Sequence, residues 1–213
     1  MIDFNQYKVS VPTGRSGDYE VSRFVVREND RKALYYALHG RPVPMGEYTR
    51  LTNNGKVIMS DTPAEIHDHA DIIRRATGRV LLNGLGLGVV LQAIISKPGV
   101  SHIDIVEISE DVIHLVAPSY PQNHVHIYHG DAFTIKWPRG TRWDVIWHDI
   151  WENICPDNSP EMVRLHRKYA GRCSWQGSWA RSLCRGLLAW ERGGAREWAR
   201  RNEMLAALTF PPS

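Results

Sequence analysis

A chain of 213 residues, 43% hydrophobic and 23% charged, has the length and composition of a globular domain with additions that builds its own core. Its apolar stretches are too short to cross a bilayer, and the opening MIDFNQYKVSVPTG carries acids and polar residues where an export signal needs a basic start and an apolar middle. Cys155, Cys173 and Cys184 are odd in number and lack C-x-x-C spacing, which argues against a disulfide framework or zinc knuckle and fits a reducing cytoplasm.

The net charge of +3 is unevenly spread: residues 164–201 hold nine arginines and one lysine against Glu191 and Glu197, and the rest of the chain is net acidic. In chain order, YKVSV (7–11) and YEVSRFVVRE (19–28) read as strands, and DRKALYYALHG (30–40) reads as a short helix. EYTRLTNNGKVIMSD (47–61) reads as a hairpin turning at Asn54-Gly55, completing a β-rich section over residues 1–60. PAEIHDHADIIRRATG (63–78) places Ile66, Ala70 and Ile73 at helical spacing, with Pro63 at the start and Gly78 as the stop, and predicts one helix.

From residue 79 strands and helices alternate: RVLLN, a glycine turn, VVLQAIIS, HIDIVEI, EDVIHLVAPSY, HVHIYHG and WDVIWHDI. Val- and Ile-rich strands separated by helices predict a Rossmann-like α/β core over residues 61–155, with a parallel sheet covered on both faces. After Trp151 the pattern predicts no further strand. Residues 156–213 read as a helical section rich in Trp and Arg, so the sheet would lack C-terminal strands. Its open edge would need aromatic helices or a second copy of the chain as cover. Trp175 and Trp179 stand one helical turn apart and are read as packing rather than as base-stacking residues.

Three glycines in five positions, Gly84, Gly86 and Gly88, cost conformational entropy and need a steric or torsional reason. Their spacing departs from G-x-G-x-x-G, and no Gly-Lys-Ser or Gly-Lys-Thr follows, which argues against a dinucleotide or phosphate loop. Glu107 closes the second core strand nineteen residues beyond Gly88, where a carboxylate is placed to accept from ribose hydroxyls. The histidine pairs His67/His69 and His124/His126 lack the spacing of H-E-x-x-H, so no metal site is expected. His148 adjoins Asp149 at the carboxyl end of a strand, where active sites of α/β folds gather, and is a candidate for proton transfer.

Over positions 47–155 these residues resemble the class I S-adenosylmethionine-dependent methyltransferases, and within them the spermidine synthase-like branch. VLLNGLGLG resembles the family's first glycine motif, IVEIS its ribose-binding acid motif, HGDAF its adenine-contacting motif and WDVIWHDIWE its fourth strand with the active-site acid. The resemblance implies that Asn83, Gly84, Leu85, Gly86 and Gly88 run along the methionine and ribose portions of the cofactor. Glu107 would hold the ribose hydroxyls, Ile108 and Ala132 would lie beside the adenine, and Asp131 would accept from its amino group. Asp149 and Glu152 resemble the two acids of the spermidine synthase D-x-x-D motif. Leu87 stands where that branch has an Asp, Leu82 where many methyltransferases have an acid, and HDIW lacks the two prolines of the base-gripping Asn/Asp-Pro-Pro-aromatic motif.

The function so implied is S-adenosylmethionine-dependent methyl transfer to an unidentified acceptor, small molecule or nucleic acid, with Asp149, His148 and Glu152 as the candidate catalytic set. The alternatives are aminopropyl transfer from decarboxylated S-adenosylmethionine to a polyamine, and a cofactor-binding protein without catalysis.

Overall fold

The computed structural model describes residues 7–28, 41–121 and 123–191. The predicted helix at 30–40 and the segment after residue 191, with Trp198, Arg192, Arg196, Arg200 and Arg201, lie outside the described residues. Among the described residues, no helix is long and apolar enough to cross a membrane.

The N-terminal section forms an antiparallel sheet of β1 (Gly14–Ser16), β2 (Tyr19–Val26), β3 (Gly46–Asn53) and β4 (Lys56–Ser60), in that order. The β3–β4 turn falls at Asn54-Gly55 as expected, both residues at positive φ (48° and 77°), the combination a two-residue turn with matching twist requires. The predicted strand YKVSV lies outside the ladders. Val9 and Val11 are buried, but the Val9 amide donates to Asp61 Oδ2 at 3.2 Å, so a side chain takes the place of a strand partner.

The single helix expected over 63–78 is two: α1 (Pro63–Asp68) and α2 (Ala70–Arg75), broken at His69, whose φ and ψ are −97° and 10°. Ile66 on the first helix and Ile72 and Ile73 on the second are buried, which is the spacing that suggested one helix. The break turns the His69 ring inward, where it is 1% exposed.

The main sheet is wholly parallel and contains β5 (Gly78–Asn83), β6 (Val100–Glu107), β7 (Val125–His129), β8 (Trp143–His148) and β9 (Cys173–Ser178), ordered β7-β6-β5-β8-β9. The strands therefore do not end after Trp151: β9 adds beside β8, from Trp143 opposite Cys173 to His148 opposite Ser178. CSWQGS lacks a run of β-branched residues, so its strand conformation comes from pairing and packing more than from propensity. Its glycine is sterically required. A Cβ on Gly177 would fall 2.7 Å from the Trp147 ring and 2.5 Å from that of Trp175. Trp175 is thus a strand residue, and both it and Trp179 pack against the main core.

Four further helices complete the described fold: α3 (Val89–Ile94), α4 (Glu110–Val116), α5 (Asn158–Tyr169) and α6 (Arg181–Ala189). Alternation along β5 divides the core. Val80 and Leu82 join the larger cluster with α1–α4 and with Val21 and Leu51 of the N-terminal sheet, whereas Leu81 joins Trp143, Leu165 and Tyr169 on the α5 face. From β5 the chain winds outward through β6 and β7, then reverses to β8 and β9. The β5–β8 junction is the point at which open α/β sheets leave a crevice beyond their strand ends.

Candidate functional site

A cavity of about 420 Å³ opens at that junction. Eight residues singled out from the sequence line it: Gly84, Gly86, Glu107, Ile108, Asp131, Ala132, Asp149 and Glu152. Asn83, Leu85, Gly88 and His148 do not.

The glycine loop is bare because protein atoms occupy the space. At Gly84 φ is +104°, and a Cβ would stand 1.9 Å from the Asp149 carbonyl oxygen. At Gly88, the left-handed residue before α3, it would stand 2.5 Å from the Tyr120 hydroxyl, which donates to the Gly88 carbonyl at 3.1 Å. The loop fits closely between β8, the β3–β4 hairpin and Tyr120, and this packing fixes where the cavity floor lies.

Glu107 holds the loop in place. Its Oε2 accepts from the Leu85 amide at 2.8 Å and the Gly86 amide at 3.4 Å, and its Oε1 accepts from the Ser109 amide at 2.9 Å. A carboxylate offers about four lone-pair positions, so capacity remains on the cavity side. Leu85 therefore contributes its backbone amide while its side chain is 5% exposed. Asp131 similarly uses one oxygen to accept from the Phe133 amide at 2.8 Å. Ile108 is an apolar side chain 66% exposed at the cavity edge.

Several lining residues were not legible in the sequence. Tyr19, Leu51, Ile58 and Met59 come from the N-terminal sheet, and Glu161 comes from α5, where its Oε2 accepts from Trp151 Nε1 at 2.7 Å. The hairpin also touches the second acid, since Asn53 Nδ2 donates to Glu152 Oε1 at 2.8 Å. Together Glu107, Asp131, Asp149, Glu152 and Glu161 give the cavity five carboxyl groups and, among the described residues, no Lys, Arg or His. By contrast Leu87, at the position where the resembled branch has an acid, is 0% exposed in the main core.

Asp149 lines the cavity with its side chain 9% exposed, and desolvation, reinforced by Glu65, Asp68 and Glu107, pushes its carboxyl up to about 8. His69 lies behind it, Nε2 3.7 Å from Asp149 Oδ2, and burial pushes the imidazole down to about 4. Burial thus biases both members of this pair toward their uncharged forms. Glu65, which accepts from the Ser60 amide at 2.7 Å, is raised to about 7, again chiefly by burial.

His148 has a different setting from the one expected. Its ring is 0% exposed on the α5 side, 5.1 Å from the His166 ring and 5.5 Å from that of Tyr169. Nδ1 pairs with Asn83 Nδ2 at 2.8 Å and Nε2 with Gln176 Oε1 at 3.1 Å, while burial holds the imidazole neutral, down to about 3. Alternation along β8 sends His148 away from the cavity that Asp149 faces, so it serves to fix the strand ends.

Among the described residues, His102, Asp104 and His126 bring three metal-ligating side chains within 4.8 Å of one another. Asp104 is already committed: its Oδ2 accepts from Trp143 Nε1 at 2.7 Å and from Arg79 Nη2 at 3.0 Å, and that guanidinium opposes a bound cation.

No protein-family model matches the chain, and no curated protein does. Among solved structures it is similar to an S-adenosylmethionine-dependent methyltransferase from Mesorhizobium loti, with 17% identity over 50% of this chain and 49% of that one and a TM-score of 0.39. It is similar to the CcbJ methyltransferase of Streptomyces caelestis at 20% identity, over 51% and 43% of the two chains, with a TM-score of 0.38. The 4+2 cyclase SpnF gives 17% identity over 54% and 44%, with a TM-score of 0.43. The chain spans about half the length of the solved structures it matches, and likenesses of this extent assign no activity.

Proposed function

We propose that the chain is an S-adenosylmethionine-dependent methyltransferase whose cofactor occupies the cavity at the β5–β8 junction. The carrying observation is the chemistry of its walls: five carboxyl groups with, among the described residues, no basic side chain, beside apolar Ile108, Ala132 and Phe133. That set suits the sulfonium, ammonium, ribose and flat base of the cofactor, while its carboxylate would have to be met by backbone amides or solvent. When bound, the cofactor supplies a methyl group already activated for transfer. Glu107 accepts from the ribose hydroxyls with the lone pairs its loop contacts leave free, Ile108 and Ala132 cover the base, and Asp131 accepts from the amino group of the base. Asp149 orients the acceptor nucleophile or takes its proton, with Glu152 beside it. The acidic walls favour a neutral or cationic acceptor over a polyanion.

Calorimetric titration tests this reading. S-adenosylmethionine and S-adenosylhomocysteine should both bind, and Glu107→Gln should weaken both about 10- to 100-fold, as expected for losing a charge-assisted pair of hydrogen bonds. Absence of binding at millimolar concentration would overturn it.

Aminopropyl transfer is the second reading, favoured by Glu152 and Glu161 as acids beyond those assigned to the cofactor. The buried Leu87 opposes it, since no carboxylate stands at that loop position. Formation of methylthioadenosine instead of S-adenosylhomocysteine would select it.

A further inference from the structure

The Asp149–His69 contact contains an unsatisfied polar group that the proposed reaction has not used. Among the described residues, neither ring nitrogen of His69, both buried, has a hydrogen-bond partner, a state rare for polar side chains in folded proteins. The ring is nevertheless firmly placed. The α1–α2 helix breaks at this residue, and Trp147 packs edge-on with centroids 6.1 Å apart. Nε2 comes within 3.7 Å of Asp149 Oδ2, longer than a hydrogen bond but within reach of one by a small side-chain shift. Packing against Trp147 accounts for the ring's position but not for its two nitrogens, which take part in no hydrogen bond among the described residues.

Resting on the reading of the cavity as a sulfonium site, we infer that His69 is the internal proton acceptor for Asp149. A cation entering the cavity draws the proton of Asp149 from Oδ2 to Nε2 of His69, leaving a carboxylate facing the ligand and an imidazolium behind it. The O–H bond breaks as the N–H bond forms, the proton stays inside the protein, and no other reactant is consumed. The resting tautomer carries its hydrogen on Nδ1, so that Nε2 has the free lone pair.

The surroundings make this response conditional on the ligand. With the carboxyl raised and the imidazole lowered, the pair is biased toward its neutral forms. The charged groups acting on it are Glu65 and Asp68 of α1, Glu107 at the end of β6, and Arg41. Arg41 pairs with Asp68 at 2.7 Å, which leaves the acids as the larger uncompensated influence. Those acids disfavour a carboxylate at Asp149 until a positive ligand arrives, and Asp68 favours the imidazolium once it forms. Asp149 would then be able to take a proton from the acceptor at a pH where it is otherwise already protonated. His69 touches no ligand and acts only through Asp149.

The test counts protons. S-adenosylmethionine is titrated near pH 7 into the intact chain and into His69→Gln, in buffers of different ionisation enthalpy, with uncharged-sulfur S-adenosylhomocysteine as the control. The intact chain should release close to no proton on binding S-adenosylmethionine. His69→Gln should release close to one, and its affinity should fall about tenfold per pH unit of acidification below the Asp149 value. Affinity for S-adenosylhomocysteine should stay within about twofold in the variant, which also reports folding. On the unmodified chain, ¹⁵N shifts of the His69 ring should move to the imidazolium position with S-adenosylmethionine and stay neutral with S-adenosylhomocysteine. Equal proton release from the two proteins, or a His69 ring that stays neutral with S-adenosylmethionine bound, would overturn the inference and leave the proposed function standing. Failure of either ligand to bind the intact chain would overturn the cavity reading and this inference with it.

Discussion

His148 and His69 lie on opposite faces of the sheet where β8 ends, and both are buried and held neutral. On the α5 side, His148 bonds through both ring nitrogens, and Gln176 passes the chain on by donating to the His166 carbonyl at 2.9 Å. On the other side His69 bonds through neither among the described residues, and Nε2 lies 3.7 Å from the carboxyl group that faces the cavity. One histidine ties β5, β8 and β9 together, and the other is left open next to the candidate chemistry. A completed polar network supports the fold, while an incomplete one beside a cavity costs stability and marks a place where a ligand, a water or a reaction can act.

Breaking the junction between the two sides should have the largest effect. Gly84→Ala sets a methyl group against the Asp149 carbonyl oxygen at a positive φ, and should cost about 4 kcal/mol or more, or abolish folding, as read by chemical denaturation. His148→Ala should cost about 3 kcal/mol by the same measurement, because it opens a cavity and leaves Asn83 and Gln176 without their partner.

The pH dependence of stability sharpens the contrast at about 1 kcal/mol per pH unit. His69, His148 and His166 all have depressed values, near 4, 3 and 4, and so bind fewer protons folded than unfolded; stability falls as pH drops below their ordinary value of 6.5. Asp149 and Glu65 have raised values, near 8 and 7, and so bind more protons folded; their contribution is present at low pH and is lost as pH rises toward those values. Below pH 6.5 His69 and His148 offset the two acids, and half-buried His166, its share reduced by solvent screening, tips the balance toward the histidines. Denaturant midpoints should therefore peak near pH 6.5, and Asp149→Asn should flatten the decline between pH 6.5 and 8. A decline unchanged in Asp149→Asn would place the titrating group elsewhere.

The smallest effect separates support from function most clearly. His69→Met removes two unpartnered nitrogens and should leave stability unchanged or raised by about 1 kcal/mol, in contrast to the loss at His148. A destabilisation of similar size at both positions would erase the distinction drawn between them.

Much of this arrangement is legible in local sequence. The alternation of Val80, Leu81 and Leu82 sends neighbours to opposite cores, and Asn54-Gly55 turns the hairpin. Gly84, Gly86, Glu107, Asp131 and Asp149 follow strand ends that the βαβ pattern brings to one crevice. The misses share a cause. CSWQGS becomes a strand only because β8 offers a partner and two indoles need the room at Gly177, and YKVSV loses its ladder because Asp61 supplies a closer acceptor. Tyr19, Met59 and Glu161 reach the cavity from elements far along the chain, with no motif to announce them.

The sequence by itself determined the parallel α/β core, the direction of its strands' apolar faces and the position of the glycine loop, since periodicity and backbone torsion act over a few residues. Tertiary structure alone decided that His148 is bonded on both sides and His69 on neither, and that Asp149 is raised toward neutrality. Partnering and burial of a polar group depend on what long-range packing brings within 3–4 Å of it.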